Sequence, residues 1–182
     1  MYNQPAALVA IAMVLSGFFY KIALFPLHFW VPDVYEGAAN ETTSFIATVP
    51  KLAAVALLLR LVTMVHFDGQ AFVGLLMIVS LGSMFYGNLS ALVQKDLKRM
   101  LGFSGIAHAG FVLFGLLTFE ITGYSNGFYY IIGYVVMNLA CFLVICQFSK
   151  NGENVPIENL RGLHKKSPIL ALTLLIGLFS LA

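Results

Sequence analysis

Charged side chains are scarce in this sequence, since only 10% of its 182 residues are Asp, Glu, Lys or Arg while 60% are hydrophobic. The mean hydropathy is +0.90. A water-soluble domain carries charge on roughly a quarter of its residues, so this composition excludes one and indicates an integral membrane protein. The net charge of +2, spread along the chain, also excludes nucleic acid as a partner, because phosphates require a basic face.

Cysteine and cofactor motifs are equally sparse. The chain has two cysteines, Cys141 and Cys146, and no CxxC pair, paired-histidine spacing, GxGxxG or GxxxxGK motif. Five residues apart on a helix, the two thiols point to different faces, so we interpret them as small buried hydrophobic side chains rather than metal ligands. We therefore expect no cofactor and no iron–sulfur centre on this chain, and any redox group belongs to its partners.

Long hydrophobic runs dominate what is present. Five reach the roughly 20 residues that span a ~30 Å hydrocarbon layer, at 6–30, 43–65, 71–93, 100–118 and 127–148. Lipid offers no partner to an open backbone, so each run is predicted to be a helix. The sixth run, 168–182, would reach only ~22 Å at 1.5 Å per residue, so we expect a further segment or a second polypeptide to complete it. The fold class is all-α, a polytopic transmembrane helical bundle without a soluble domain.

Basic residues are concentrated in two of the loops between these runs. Lys95, Lys98 and Arg99 lie in one loop, and Lys150, Arg161, Lys165 and Lys166 lie in the other. Two crossings separate the loops, so both lie on one side, which the positive-inside rule assigns to the cytoplasm or matrix. The acidic loop at 32–40 falls on this inner side as well. The loops at 66–70 and 120–126 and the N-terminus are predicted to lie outside.

Lys21 lies in the first apolar run, and an ammonium at bilayer depth costs about 3 kcal/mol unless it faces a protein interior or a water-filled path. Pro26 is predicted to break this helix, and His28 returns to the face of Lys21 after two turns. Transporters use such broken helices where free backbone groups line a cavity. We interpret Lys21 as functional, the alternative being a lysine that snorkels beside an ordinary proline kink.

The second run repeats this pattern, because Lys51 directly follows Pro50 and shares a polar stripe with Ser44 and Thr48. Desolvation destabilises a buried ammonium, whereas an approaching carboxylate stabilises it. A mobile partner charge could therefore load and unload Lys21 and Lys51 with protons. None of the membrane runs contains a carboxylate, so such a partner is expected on another segment or subunit.

Two further polar lines cross the membrane runs. Ser104 and His108 are four residues apart in the fourth run, and Tyr130, Tyr134 and Asn138 step by four along the fifth. We interpret His108 as a proton carrier because imidazole titrates near neutrality, and the alternative is a hydrogen bond between helices. For the tyrosine stripe we favour packing.

Three stretches in order along the chain together carry a resemblance to a known family. They are residues 21–37 (KIALFPLHFWVPDVYEG), 47–51 (ATVPK) and 94–110 (QKDLKRMLGFSGIAHAG). They resemble the antiporter-like membrane-arm subunits of respiratory complex I, and are most similar to the N type, called subunit 2 in mitochondria. The likeness covers nearly the whole chain.

The resemblance implies a fourteen-helix bundle with two inverted repeats, each containing a discontinuous helix. This chain would match helices seven to eleven and the first half of twelve. Lys21 and Lys51 would be the lysines of the first broken helix and of the following helix, with His28 and His108 near the hydrophilic axis, all four carrying protons. The glutamate of the family's fifth helix and the lysine of its second broken helix have no counterpart here.

The function implied is that of a proton-translocating subunit of NADH:ubiquinone oxidoreductase that performs no redox chemistry itself. Flavin, iron–sulfur clusters and quinone are expected on partner subunits, and the partners include other membrane-arm subunits, a chain or segment that supplies the missing helices, and lipids. The alternatives are a subunit of a cation/proton antiporter or a non-pumping scaffold of the membrane arm. We expect a multi-pass protein of an inner membrane. Because this half begins with its own Met1, a mitochondrion is favoured over a bacterial plasma membrane.

Overall fold

Helices account for all the regular secondary structure that the computed structural model describes, which covers residues 5–64, 70–149 and 152–181. In chain order they are α1 (Pro5–Ile22), α2 (Trp30–Gly37), α3 (Asn40–Met64), α4 (Gln70–Leu92), α5 (Leu97–Leu116), α6 (Ile121–Phe148), a 3₁₀ turn (Ile157–Leu160), α7 (Leu163–Lys166) and α8 (Pro168–Leu181). Within these ranges, α3 to α6 are long and apolar enough to cross a membrane, and α1 and α8 contain shorter apolar stretches. The predicted all-α membrane fold is confirmed.

The first apolar run is not a single span. Its predicted interruption is present, but α1 already ends at Ile22, before Pro26, where Ala23 adopts a left-handed conformation with φ of 66°. The amide of Leu24 then donates to the carbonyl of Phe19 at 2.9 Å and closes the end of α1. A second half-helix, α2, starts at Trp30.

Part of the predicted inner loop at 32–40 is therefore helical, which corrects the sequence-based boundary. Pro32 is the third residue of α2. In the first turn of a helix a backbone N–H has no intrahelical partner, so proline is tolerated there. The apolar positions Val31 and Tyr35, four residues apart, give this short helix one buried face.

The other spans agree in number with the prediction and differ at their ends. The helix predicted at 100–118 begins at Leu97, because Asp96 accepts a hydrogen bond from the amide of Arg99 at 3.0 Å and caps the first turn. The helix predicted at 127–148 begins at Ile121. Most of the predicted loop at 66–70 lies outside the described residues, as does Ala182, the predicted end of the sixth run.

Helix α5 is the centre of the bundle, since 67% of its spanning stretch is buried against 28–39% in α3, α4 and α6. It packs antiparallel to α4 at close range. A methyl group on Gly87 would come within 2.6 Å of the amide nitrogen of Ala107, so a side chain there would push the helices apart. Two turns earlier on α4, Ser80 donates to the carbonyl of Gly110 at 2.8 Å.

The remaining helices pack around this pair, with α3 against α6, α6 against α8, α1 against α3, and α2 against α5. Cys141 is fully buried where α6 meets α8, and a methyl group on Gly177 would come within 2.6 Å of its sulfur. Cys146 is partly exposed, and neither thiol is in a disulfide. Cys141 thus behaves as the small hydrophobic side chain that the sequence indicates.

Three segments that the sequence places on the inner side are in direct contact. Arg99 forms ion pairs with Asp33 at 2.8 Å and Glu36 at 2.6 Å. The amide of Leu97 donates to the backbone carbonyl of Val155 at 3.1 Å. The amide of Ile157 donates to the backbone carbonyl of Lys95 at 2.9 Å. The acidic segment and the two basic loops therefore share one end of the bundle, as predicted.

Candidate functional site

Lys51 is a buried amine near the middle of α3, and the polar groups around it form the candidate site. It lies on α3, eleven residues after Asn40, or about 16 Å along the helix at 1.5 Å per residue. Only 2% of its surface is exposed. Its Nζ atom donates to the carbonyl oxygen of Gly105 on α5 at 3.5 Å, the outer limit of a hydrogen bond.

Aromatic rings supply most of the other contacts of this ammonium. The Nζ atom lies 5.8 Å from the ring centre of Tyr35 on α2 and 5.6 Å from that of Tyr134 on α6. Both distances are near the 6 Å limit for cation–π attraction, which is worth about 0.5 to 2 kcal/mol. Among the described residues, Lys51 has no carboxylate partner. This ammonium is thus only weakly stabilised by the groups around it.

Gly105 sets the spacing of this centre. A methyl group on Gly105 would lie 2.8 Å from Nζ of Lys51 and 2.7 Å from the hydroxyl of Tyr134, so both polar groups approach the same point on α5. Any larger residue would occupy the space that they fill. The role of Gly105 was not predicted, because in the sequence it is one glycine among sixteen.

Within the polar stripe of α6, Tyr134 and Asn138 are buried in the bundle and Tyr130 is exposed, and the tyrosine hydroxyl groups form hydrogen bonds. The hydroxyl of Tyr134 accepts from the side-chain amide of Asn138 at 2.9 Å. The hydroxyl of Tyr130 lies 2.7 Å from Nδ1 of His108, and the ring centres of His108 and Tyr134 are 5.1 Å apart. The stripe therefore joins the neighbourhoods of Lys51 and His108, which packing alone did not predict.

His108 is buried on α5 and lies one turn farther along the helix than Gly105. Beside it a cavity of about 430 Å³ is bounded by Tyr130, Tyr134, Ser180 and Leu181 among others. A water molecule occupies about 30 Å³ in the liquid, so this space could hold several. Ser104 lies one turn before His108 on α5, and Nδ1 of the imidazole is at hydrogen-bond distance from the hydroxyl of Tyr130 on α6.

His28 lies in the break between α1 and α2 and is also buried. Its ring stacks on Phe25 with centres 5.5 Å apart and lies 4.4 Å from the ring of Tyr86 on α4. Its Nδ1 atom has no hydrogen-bond partner among the described residues. The break itself is fixed to α4, because Ser83 accepts from the amide of Phe25 at 2.9 Å.

Lys21 is exposed at the last turn of α1 and does not share a face with His28. That sequence-based expectation is wrong, because the helix ends before the second turn that would align them. The side chain of Lys21 borders an open groove of about 450 Å³ between α1 and α3, whose walls include Phe18, Ala53 and Leu57. Within the described ranges it has no hydrogen-bond or ion-pair partner.

The polar stripe predicted around Lys51 is only partly present. Thr48 is buried, but its hydroxyl donates to the carbonyl of Ser44 at 2.7 Å in its own helix. The polar groups nearest to Lys51 instead come from α2, α5 and α6. Tyr35, in particular, lies in a segment predicted as loop, and the Val31–Tyr35 spacing was the signal that could have identified it.

Comparison with known proteins gives a consistent result over the full chain. The family model described as "NADH:quinone oxidoreductase/Mrp antiporter, TM" matches residues 1–182. The chain is 53% identical over 182 residues to NADH-quinone oxidoreductase subunit N 2 of Opitutus terrae, covering 100% of this chain and 38% of that protein. It is 41% identical to the chloroplastic NAD(P)H-quinone oxidoreductase subunit 2 of Mesostigma viride, covering 98% of this chain and 36% of that one.

Solved structures show the same relationship. A chain of respiratory complex I from Thermus thermophilus with bound Aureothin superposes with a TM-score of 0.83 at 37% identity, and the match covers 98% of this chain and 39% of the other. A chain of the Mrp complex from Dietzia sp. superposes with a TM-score of 0.88 at 25% identity, covering 98% and 34%. This chain spans about 38% of the length of the curated relatives it matches.

Proposed function

Because this chain belongs to the family of membrane subunits that NADH:quinone oxidoreductases share with Mrp antiporters, we propose that it forms part of a proton-translocating subunit of NADH:ubiquinone oxidoreductase. The observation that carries the proposal is the setting of Lys51. Its buried amine has one weak hydrogen bond and lies near two tyrosine rings. The 53% identity to a subunit N supports this role over other members of the family. Redox chemistry takes place on other subunits.

A buried ammonium with few fixed partners is suited to gain and lose a proton. Moving one charge through 100 mV takes about 2.3 kcal/mol. A tenfold change in a protonation equilibrium is worth about 1.4 kcal/mol. The two energies are comparable, so a modest change of charge near Lys51 decides whether it holds a proton against a membrane potential. Quinone reduction elsewhere in the complex would supply that change.

Towards the outer side, we propose that protons leave Lys51 through Tyr134 and His108. The hydroxyl of Tyr134 and Nζ of Lys51 both lie within 3 Å of one point above Gly105. His108 follows one turn outward on α5 and is hydrogen-bonded to Tyr130. The cavity beside His108 provides space for water that would continue the path.

Towards the inner side, three buried polar atoms have no hydrogen-bond partner in the described part of the chain: the hydroxyl of Tyr35, Oδ1 of Asn40 and Oδ1 of Asn138. Buried polar atoms are normally paired with protein or with water. These three atoms lie on helices α2, α3 and α6, between Lys51 and the inner end of the bundle. We propose that water binds to them and brings protons from the inner side.

Lys21 and His28 complete the proposed set of proton carriers. Lys21 lies exposed beside apolar walls, where an uncovered ammonium is unfavourable in lipid. We propose that a further membrane helix, from the rest of the subunit or from a neighbour, covers this groove and brings a carboxylate to Lys21. His28, with its unpaired Nδ1 in the break, would pass protons between that helix and α4.

The proposed assembly is a multi-subunit respiratory complex in an inner membrane, surrounded by lipids, with flavin, iron–sulfur clusters and quinone on other subunits. Both structural neighbours are themselves parts of multi-subunit complexes. The relatives compared above are bacterial and chloroplast proteins, so the expectation of a mitochondrial membrane gains no support from them. We propose a multi-pass subunit of an energy-transducing membrane without a preference for that organelle.

A cation/proton antiporter subunit is the second candidate, favoured by the TM-score of 0.88 to a chain of the Mrp complex. The two candidates share the lysines and differ in their partners. Copurification of the full-length subunit with flavin- and iron–sulfur-containing proteins argues for the respiratory complex. If the full-length subunit copurifies only with other small membrane proteins, the antiporter is favoured.

The decisive experiment replaces Lys51 with alanine in the full-length subunit and measures proton translocation per electron in the assembled complex in inverted membrane vesicles. We expect a marked loss of translocation in K51A, while complex abundance on native gels is retained. Lys95→Ala is the matched control, because Lys95 is an exposed lysine of the inner loop. Normal pumping by K51A would favour the non-pumping scaffold.

A further inference from the structure

Two consecutive cations at the start of α5 both reach across to α2. Arg99 contacts Asp33 in the first turn of α2 and Glu36 in its last, through the same Nη1 atom, at 2.8 and 2.6 Å. Its Nε atom donates to Oε1 of Gln94 at 3.3 Å, and this third contact helps to fix the orientation of the guanidinium. Lys98 donates through Nζ to the carbonyl of Ala38, the residue that ends α2, at 2.9 Å.

These positions are unfavourable for α5 itself. Lys98 and Arg99 occupy its first turn, where the helix dipole presents positive charge and favours acidic side chains. For α2 the same charges are well placed. A cation is favoured at the C-terminal end of a helix, where Lys98 meets the carbonyl of Ala38. The contacts to α2 thus offer a physical reason for two cations at this point.

The two cations contact α2 in different surroundings. Lys98 is fully buried, whereas 29% of the side-chain surface of Arg99 is exposed, with 76% for Asp33 and 41% for Glu36. Exposed ion pairs contribute little to stability one by one. Here one guanidinium contacts three side chains, those of Asp33, Glu36 and Gln94. The planar fork of arginine fixes the directions of these contacts, whereas the ammonium of a lysine would not.

Helix α2 needs such support, because eight residues are too few for a helix to be stable by itself. Its buried face lies on α5 at Gly102, where an added methyl group would come within 3.3 Å of Val31 and 3.4 Å of Tyr35. The ring of Tyr35 on this face lies 5.8 Å from Nζ of Lys51. The position of α2 therefore sets the position of an aromatic neighbour of Lys51.

We propose that Lys98 and Arg99 are positioning residues of the proton path: they hold the second half of the discontinuous helix at the inner face so that Tyr35 stays beside Lys51. This inference rests on the proposed function of Lys51. It adds a role for the basic inner loop that goes beyond membrane orientation. Displacement of α2 would separate Tyr35 from Lys51 without changing either residue.

The test uses variants that remove the ion pairs at exposed positions, where folding is least affected. Asp33→Asn combined with Glu36→Gln keeps the shapes of the two side chains and removes both charges that Arg99 contacts. Arg99→Ala removes the same contacts from the other side, and Arg99→Lys keeps the charge without the fork. The full-length subunit in the assembled complex is assayed for protons translocated per electron, with K51A and Lys95→Ala measured alongside.

We expect the acid double variant and Arg99→Ala to show at least half of the loss caused by K51A, and Arg99→Lys to fall between them and the wild type. Exchange of the charges by Arg99→Glu with Glu36→Arg should recover at least half of that loss, which a general folding defect would not do. Lys95→Ala should pump normally.

Normal pumping by the acid double variant, or its failure to assemble, would overturn the positioning role, because assembly loss would assign these residues to structure alone. If K51A itself pumps normally, the proposed function fails, whatever the variants of α2 and α5 do. The two failures are thus distinguishable in one experiment.

Discussion

Lys51 and Tyr134 approach the same point on α5 from two different helices, and each would come within 3 Å of a methyl group added at Gly105. The amine and the phenol are therefore neighbours because one residue of the central helix has no side chain. This relationship connects the buried amine of α3 with the hydrogen-bonded stripe of α6. It also makes Gly105 a sensitive point of the bundle.

Gly105→Ala should displace Lys51 or Tyr134 and impair proton translocation in the assembled complex. Overpacking of a filled interior costs about 1 to 3 kcal/mol, so the variant should also lower the fraction of intact complex that survives heating, measured on native gels. Gly133→Ala on α6 is the control, because nothing lies within 4 Å of a methyl group there. Equal behaviour of the two variants would contradict the packing described for Gly105.

Tyr134→Phe removes only the hydroxyl that accepts from Asn138. The amide of Asn138 would lose its partner in a buried site, at a cost of about 1 to 3 kcal/mol. We expect slower proton translocation and lower thermal resistance of the complex. Tyr129→Phe, at a side chain that is 80% exposed, should change neither. A wild-type rate in Tyr134→Phe would remove this hydroxyl from the outward path.

Ser83→Ala tests the attachment of the helix break to α4. The hydroxyl of Ser83 accepts from the amide of Phe25 in a buried setting, so its loss leaves a backbone donor unpaired at about 1 to 3 kcal/mol. We expect less intact complex after heating. The control is Ser16→Ala, whose hydroxyl donates only to the carbonyl of Met13 within α1. Indistinguishable heat resistance of the two variants would contradict the attachment.

The sequence predicts the membrane fold well because hydropathy and the requirement for internal hydrogen bonds leave helices as the only choice for long apolar runs. The shared end of the inner loops was predictable too, since the count of crossings fixes it. The alignment of Lys21 with His28 was predicted wrongly, because Pro26 signals an interruption but the spacing argument carried the helix past Ile22, where it ends. The contacts of Lys51 depend on how α2, α5 and α6 pack, which periodicity within one helix does not contain.

The tyrosine stripe illustrates the same limit. Its spacing shows that Tyr130, Tyr134 and Asn138 share one face of α6. Which helices that face meets is decided by the three-dimensional packing, and only the structure places His108 at hydrogen-bond distance from Tyr130. Packing and hydrogen bonding both use such a face, so the sequence could not separate them.

His108 offers a direct test of the two roles considered for it, a proton carrier and a hydrogen-bond link between helices. Glutamine can keep a hydrogen bond to Tyr130 but cannot be protonated near neutrality, whereas alanine loses both properties. If His108 carries protons, His108→Gln and His108→Ala should both lose proton translocation per electron in the assembled complex, with only the alanine variant also losing heat resistance. His164→Gln, at an exposed histidine of α7, is the control and should pump normally. Normal pumping by His108→Gln would assign His108 to the link between α5 and α6 and leave Tyr134 and water to conduct the proton outward.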